Sequence, residues 1–431
     1  MELTDDITFM KQTIHALTTP LHRRVTIPGS KSITNRAILL AALSNGVSEL
    51  FDIFINDETR IFIDILHELG VSVMLDEAAC SCIVGGDNGV LPKKKASLWL
   101  DNATSAARFM LAVCASSPGI YQFDGSEPLR RRPLENFLAI LCTQGAKLMP
   151  DDATELPFAV LGAEGLQGGE IEVEGTNTAM YVSALLMVAP FAKTPVLIKT
   201  QDLKSEPYAD LTCAMMSEFG VLVKRMHHAR FYVPVPQRYQ ARDYTIEPDL
   251  SLASYIFAAA AITAGEVIIQ EVSREHAKQP YAKMFSLLEK MGCQIIESAN
   301  GLTVKGPAQL SGVNVDVREF PDSFMALAAI APFATTATTF TNITEFNDGH
   351  PDQVSLWQKT FEKLSIKIES GKDWLKIFPG QPQPAKIDCH HDYRIGLACA
   401  IMGLRVSGIE LAGVESINAV WPDFFSIWEI K

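Results

Sequence analysis

The sequence predicts an α/β protein made from one supersecondary unit used six times, with helices inside and sheets outside. Three observations predict it. Six Ala-rich helical runs, each opened by a polar residue, begin near Ser32 (AILLAAL), Asn102 (ATSAARFMLAV), Asn177 (TAMYVSALLMVAP), Asp249 (LSLASYIFAAAAI), Asp322 (SFMALAAIAPFA) and Asp392 (YRIGLACAIMGL), at intervals of 70 to 75 residues. Alternating or apolar strand-like runs lie between them, at 25–27, 98–100, 170–173, 231–235, 267–269, 313–317 and 374–378. More polar amphipathic helices recur at 60–69, 134–144, 211–219, 281–291 and 356–364, most followed by a small residue and a strand.

In order, each unit reads βαβαββ. The Ala-rich helices carry few polar positions on any face, so each belongs inside a core. The amphipathic helices have one apolar stripe and cover that core from one side. Three units per half place three Ala-rich helices at the centre of each half. No Gly/Ser linker separates the halves, so the crossings between them are short, near Pro28 and near Glu247-Pro248. If the six Ala-rich helices point their N-termini the same way, their dipoles converge on a cleft suited to anions. Taken singly, each opening Asn or Asp reads as a plain N-cap.

The chain has 431 residues, 48% of them hydrophobic and 20% charged, enough for two or three sizeable cores. A net charge of −13 excludes non-specific binding to nucleic acid or an anionic membrane. The longest apolar stretches, at 181–192 and 255–264, are too short to span a bilayer. The N-terminus is acidic, without the basic-then-apolar pattern of a signal peptide. The eight cysteines are scattered, with neither disulfide nor zinc spacing, so a soluble cytoplasmic setting is expected. Cys389-His390-His391-Asp392 is a poor metal site, because adjacent ligand-type residues at a strand–helix junction seldom point at one ion.

One stretch stands out against the acidic background. Pro28-Gly29-Ser30-Lys31-Ser32-Ile33-Thr34-Asn35-Arg36 puts a turn, two hydroxyls and two cations at the start of a helix. Free N–H groups and the positive dipole end suit an anion there, and Arg36 can grip phosphate or carboxylate in a fork. The alternative is an ordinary Ser-capped helix with solvated basic residues. A Walker A loop is excluded, since Ser rather than Gly precedes Lys31 and no glycine stands five residues before Gly29.

Ordered stretches then carry a resemblance over essentially the full length: IPGSKSITNRAILLAAL at 27–43, DNATSAARFM at 101–110, RRRPLENFL at 130–138, SALLMVAP at 183–190 and DLKSEPYADLT at 202–212. It continues through LASYIFAAAAI at 252–262, FPDSFMALA at 320–328, HDYRIGLA at 391–398 and WPDFF at 421–425. The chain resembles the 5-enolpyruvylshikimate-3-phosphate synthase (3-phosphoshikimate 1-carboxyvinyltransferase) family. The resemblance implies the enolpyruvyl transferase fold, a two-domain inside-out α/β barrel with six βαβαββ repeats, three per domain. It implies a discontinuous domain of 1–27 plus 247–431, a continuous domain of 28–246, and an active-site cleft between them.

The implied reaction moves the carboxyvinyl group of phosphoenolpyruvate to the 5-hydroxyl of shikimate 3-phosphate and releases phosphate, and it implies no metal and no organic cofactor. Two anions must be held together, so cations must offset their repulsion, and both an acid and a base are needed. Carried over position by position, Lys31 would contact both substrates, and Ser32, Arg36, Thr178, Ser205 and Tyr208 would hold shikimate 3-phosphate. Asn102, Arg132 and Arg394 would line the phosphoenolpyruvate site. Asp322 would take the proton of the attacking hydroxyl. Read without the resemblance, Arg132 is a solvated charge in a run of three arginines and Asp322 a helix cap. A monomer acting on small molecules is expected, in the pathway to chorismate and the aromatic amino acids.

The chain also departs from the family pattern. The Lys-Glu-x-x-Arg stretch of the family falls on Gly349-His350-Pro351-Asp352-Gln353, and a C-terminal Lys falls on Ala419. His350 would then stand in for the acid/base Glu, its ordinary pKa of about 6.5 suiting proton transfer. Thr178-Ala179-Met180 replaces Ser-Ser-Gln, Thr104-Ser105 replaces Gly-Thr, and Tyr393 replaces His. The departures bear mainly on phosphoenolpyruvate. They leave open a relative with altered acceptor or chemistry, or a non-catalytic ligand-binding homologue. A UDP-sugar acceptor fits less well, since that family has SGAKN in place of PGSKS and a loop Cys that 125–131 lacks.

Overall fold

The structure, a computed structural model, describes residues 10–174, 178–200, 206–226, 229–274, 277–279, 282–298, 301–319, 323–344, 353–389 and 392–428. Contacts divide the chain after Pro28 and again after Glu247, into a continuous unit and a discontinuous one.

The continuous unit holds helices α1 (Lys31–Leu43), α2 (Asp57–Glu68), α3 (Thr104–Ala115), α4 (Glu127–Arg130), α5 (Glu135–Thr143), α6 (Thr178–Val188) and α7 (Glu206–Glu218). The Ala-rich helices are its centre: residues 33–43 of α1 and 106–115 of α3 are all buried. Small side chains let α3 and α6 pack closely, and an apolar surface on every side stabilises only a helix surrounded by protein. The amphipathic α2, by contrast, buries Thr59, Phe62, Ile63, Ile65 and Leu66 along one stripe.

Three four-stranded sheets close the outside. Strand Lys95–Trp99 pairs parallel with Gly119–Asp124 across α3, and the sheet continues antiparallel through Phe158–Gly162 and Lys147–Met149. The sheet of Gly169–Val173, Val196–Thr200, Arg230–Val233 and Lys224–Arg225 repeats that order around α6. The third, around α1, takes its first strand from the far end of the unit: Tyr244–Thr245 pairs parallel with Asn45–Phe51. Strands alternate buried and exposed residues, as Lys95–Trp99 does, which is the signature of a sheet with one face on a core.

The discontinuous unit holds α8 (Leu250–Thr263), α9 (Ala282–Lys290), α10 (Phe324–Ile330), α11 (Gln353–Lys363), α12 (Tyr393–Gly403) and α13 (Glu415–Asn418). Every residue of α10 is buried, as is 395–403 of α12. Its N-terminal segment explains the discontinuity. Strand His22–Val25 pairs parallel with Glu266–Ile269 beside α8, and Lys11–Ile14 pairs antiparallel with Ile409–Ala412 at the other end. The chain therefore gives two strands to this unit before α1 opens the other. Among the described strands, the three sheets of each unit stay separate ladders and do not join into one continuous barrel wall. No described helix is long and apolar enough to cross a membrane.

Two expectations need correction. The strand expected at 25–27 is His22–Val25, because the register with Glu266–Ile269 ends at Val25. The polar openings are also not uniform caps. Asp249 accepts from the Ser251 and Leu252 N–H groups, and Asp392 from that of Arg394. Helix α1, however, begins at Lys31 with Ser30 as its N-cap, and α3 has Ala103 rather than Asn102, neither with a side-chain cap bond. Ser323 caps α10 without a side-chain bond, while Asn177 and Asp322 lie outside the described residues.

Candidate active site

The start of α1 is set by a glycine. A Cβ at Gly29 would stand 1.9 Å from the Asp52 carbonyl oxygen, so no other residue fits beside that backbone. The chain then turns into α1 at Lys31, half-exposed, with Ser32 beside it in the first turn. Lys31 Nζ makes an ion pair with Glu58 in the first turn of α2. The other Glu58 oxygen accepts the Ser105 N–H of α3 at 3.0 Å.

Arg36 differs from the exposed fork that the sequence suggested. It is 2% exposed, and its guanidinium is spread over three helices. Nη1 donates to the Ser32 carbonyl at 2.9 Å, Nε to Thr212 Oγ1 on α7 at 2.8 Å, and Nη2 to Ser183 Oγ on α6 at 3.0 Å. Its Cζ lies 5.5 Å from the centroid of the Phe109 ring on α3. A buried charge is tolerable only when hydrogen-bonded in this way. Arg36 thus supports the first turn of α1 from beneath. Tyr208 belongs to the same cluster, since its carbonyl oxygen lies 2.8 Å from Thr212 Oγ1.

The three consecutive arginines separate cleanly. Arg130 forks onto Asp124 with two contacts of 2.8 Å, which holds the Asp124 carboxyl below the usual carboxylate range. Arg131 pairs with Glu127 one turn back. Arg132 is half-buried just beyond α4 and donates its N–H to the Leu129 carbonyl. The following Pro133 carbonyl accepts from Tyr181 OH at 3.3 Å, tying this loop to α6. Asn102 is exposed just before α3, and Thr178 is the first residue of α6.

In the discontinuous unit, Asp392 caps α12 and also grips Arg394 in a bidentate pair at 2.9 and 2.8 Å. Cys389 donates its thiol to the Ala412 carbonyl, and burial pushes that thiol up to about 12. Both residues at the ends of the 389–392 run are therefore committed to their own unit. Ala419 is exposed at the end of α13. Ser205, Asp322, Gly349 and His350 lie outside the described residues, and Gln353 begins α11.

Two residues absent from the sequence reading belong to this description. Glu58 gave only the weak signal of an acid in a helix first turn. Arg108, 1% exposed on α3, was visible as a lone cation in an Ala-rich run; its Nη1 donates to the Thr104 carbonyl at 3.0 Å. It repeats on α3 the bond that Arg36 makes on α1.

Comparison with known proteins gives a consistent result. The family described as EPSP synthase (3-phosphoshikimate 1-carboxyvinyltransferase) matches residues 16–428. A 3-phosphoshikimate 1-carboxyvinyltransferase of Trichormus variabilis is 35% identical over 415 residues, covering 96% of this chain and 97% of the relative. One from Syntrophobacter fumaroxidans is 33% identical over 427 residues, covering 97% and 99%. Among solved structures, an EPSP synthase from Acinetobacter baumannii superposes with a TM-score of 0.84 at 20% identity, covering 97% of each chain. The enolpyruvyl transferase NikO from Streptomyces tendae gives 0.76 at 16% identity, covering 96% of this chain and 95% of that one.

Proposed function

The chain belongs to the EPSP synthase family, and from that premise we propose that it transfers the carboxyvinyl group of phosphoenolpyruvate to the 5-hydroxyl of shikimate 3-phosphate, releasing phosphate. The observation that carries this is the family match across residues 16–428. In the proposed reaction the 5-hydroxyl oxygen bonds to C2 of phosphoenolpyruvate as C3 takes a proton. Loss of a C3 proton then restores the double bond and expels phosphate. Asp322 receives the hydroxyl proton, and His350 serves the C3 proton in both directions, since imidazole exchanges protons near neutral pH.

Lys31 offers its ammonium to both anions, with Ser32 beside it and Arg36 supplying buried charge beneath the same turn. Thr178, Ser205 and Tyr208 serve shikimate 3-phosphate; Asn102, Arg132 and Arg394 serve phosphoenolpyruvate. The choice of Arg132 from the triplet rests on the family pattern, while Arg130 pairs with Asp124 and Arg131 with Glu127. Arg394 is already in the bidentate geometry that suits a carboxylate, with Asp392 as its present partner. We further propose that the protein acts as a monomer in the cytoplasm, a reducing setting that suits its eight free cysteines.

The test is phosphate release from purified protein given both substrates, with calorimetric binding of each. Turnover with an Asp322→Asn variant slowed at least 100-fold is expected. Unchanged turnover in that variant would sink the base assignment. Binding of shikimate 3-phosphate with no phosphate release would favour the altered-chemistry reading, which the replacements at Gly349, Gln353 and Ala419 motivate.

A further inference from the structure

The N-termini of three helices meet at one carboxylate. Glu58 sits in the first turn of α2, whose own cap, Asn56, accepts the Thr59 N–H at 3.0 Å. One Glu58 oxygen pairs with Lys31 at the first position of α1, and the other accepts the Ser105 N–H in the first turn of α3. Helix α3 has Ala103 at its N-cap, a residue with no side-chain acceptor, so Glu58 supplies that cap from another helix. The carboxylate side chain is 12% exposed while that of Lys31 is 42% exposed. Glu58 is therefore the more enclosed anchor, and Lys31 the outward group it holds.

We propose that Glu58 is a positioning residue for the reaction: its carboxylate fixes the Lys31 ammonium against the first turn of α3, next to Asn102, in a single arrangement. This rests on the proposed carboxyvinyl transfer, in which Lys31 meets both substrates. A lysine head on four methylenes holds a position poorly without such a partner. The same pairing partly cancels the Lys31 charge, so Glu58 exchanges some anion affinity for geometry. The two consequences move in opposite directions when Glu58 is changed.

The experiment compares wild type, Glu58→Gln, Glu58→Ala and Glu58→Asp in steady-state turnover, in thermal melting, and in calorimetric titration with inorganic phosphate. Glu58→Gln keeps an oxygen for the Ser105 N–H but loses the ion pair. Its kcat is expected to fall about 10- to 100-fold, while phosphate binds about threefold tighter or more. Glu58→Ala should lose the α3 cap as well and melt lower than Glu58→Gln. Glu58→Asp, which keeps the charge, should recover most of kcat. A partly unfolded protein cannot bind phosphate more tightly, so that readout separates positioning from simple damage. Wild-type kcat in Glu58→Gln, or a loss of kcat with phosphate affinity unchanged or weakened, overturns the proposal. Should wild type show no turnover with the two substrates, the reaction reading fails by itself. The phosphate titration then decides alone whether Glu58 restrains Lys31.

Discussion

Replacing Arg36 by Met tests whether this motif arginine supports the fold beneath the site. The variant keeps a long unbranched chain at a position 2% exposed, but removes bonds of 2.8, 2.9 and 3.0 Å to Thr212, Ser32 and Ser183. Hydrogen bonds from a charged donor contribute about 1.5–3 kcal/mol each, so the gross loss is roughly 4.5–9 kcal/mol. Releasing a guanidinium from burial returns several kcal/mol. The stripped acceptors also keep company, since Thr212 Oγ1 lies 2.9 Å from Ser183 Oγ and 2.8 Å from the Tyr208 carbonyl. The net cost is therefore about 2–4 kcal/mol. It should fall on α1, α6 and α7, the helices that Arg36 joins. Amide hydrogen exchange followed by mass spectrometry reads this locally: peptides of those helices should exchange about 30- to 700-fold faster. Peptides of α8 and α12, in the other unit, serve as the internal reference. Acceleration below about fivefold, or equal acceleration of the reference peptides, would refute the bracing argument.

Other outcomes follow from single contacts. Asp249→Ala removes the acceptor of the Ser251 and Leu252 N–H groups at 2.8 and 3.1 Å, and should cost about 1–2 kcal/mol in denaturant unfolding, with Asp249→Asn nearly neutral; equal losses in both would contradict the cap. The Asp316 carboxyl is held below its ordinary value chiefly by the Arg318 side chain. A depressed pKa contributes stability that is present above the unfolded value and lost as pH falls through the folded one. Wild type should thus exceed Asp316→Asn in melting temperature at pH 7, with the gap beginning to narrow as pH falls through the ordinary carboxylate value of about 4 and closing only below the depressed folded value; a gap that does not narrow would count against it. A thiol reagent at pH 8 should modify exposed Cys80 first and Cys142 next, the latter slowed because burial raises its pKa. Burial pushes Cys82, Cys213, Cys293 and Cys389 up to about 12, so peptide mapping should find these unmodified until the protein unfolds.

Periodicity exposed what is repeated and local. Six Ala-rich runs at a near-constant interval are readable because a helix buried on all sides has a composition unlike any other element. The parallel strand on each side of α3, α6, α10 and α12 follows from the chain's own order. The strands that begin the other two repeats do not. His22–Val25 serves α8 and Tyr244–Thr245 serves α1, partners more than two hundred residues away in one case and nearly as far in the other. A two-residue strand has no alternation to read, and its place is set by the sheet it completes.

The site divides along the same line. Lys31 and Ser32 were legible because a Pro-Gly turn delivers them directly to a helix start, and Gly29 has the contact that demands glycine. Arg36 was legible as a residue but not as a role. Its partners Ser183 and Thr212 lie 147 and 176 positions away, and nothing in PGSKSITNR announces two buried hydroxyls. Read without the family resemblance, Asn102 looks like a cap, because caps are usually side chains of the same segment. Helix α3 instead takes its cap from Glu58, 47 residues earlier. An acid in the first turn of α2 looks like ordinary dipole compensation, and only the fold brings the same carboxylate to Lys31. Local sequence thus names the cations that can meet an anion, whereas the hydroxyls that hold Arg36 come from another repeat and the acid that holds Lys31 from a later helix of its own. That is why the Glu58 variants bear on the mechanism more directly than any substitution within PGSKS, which would alter the ligand contacts and their support together.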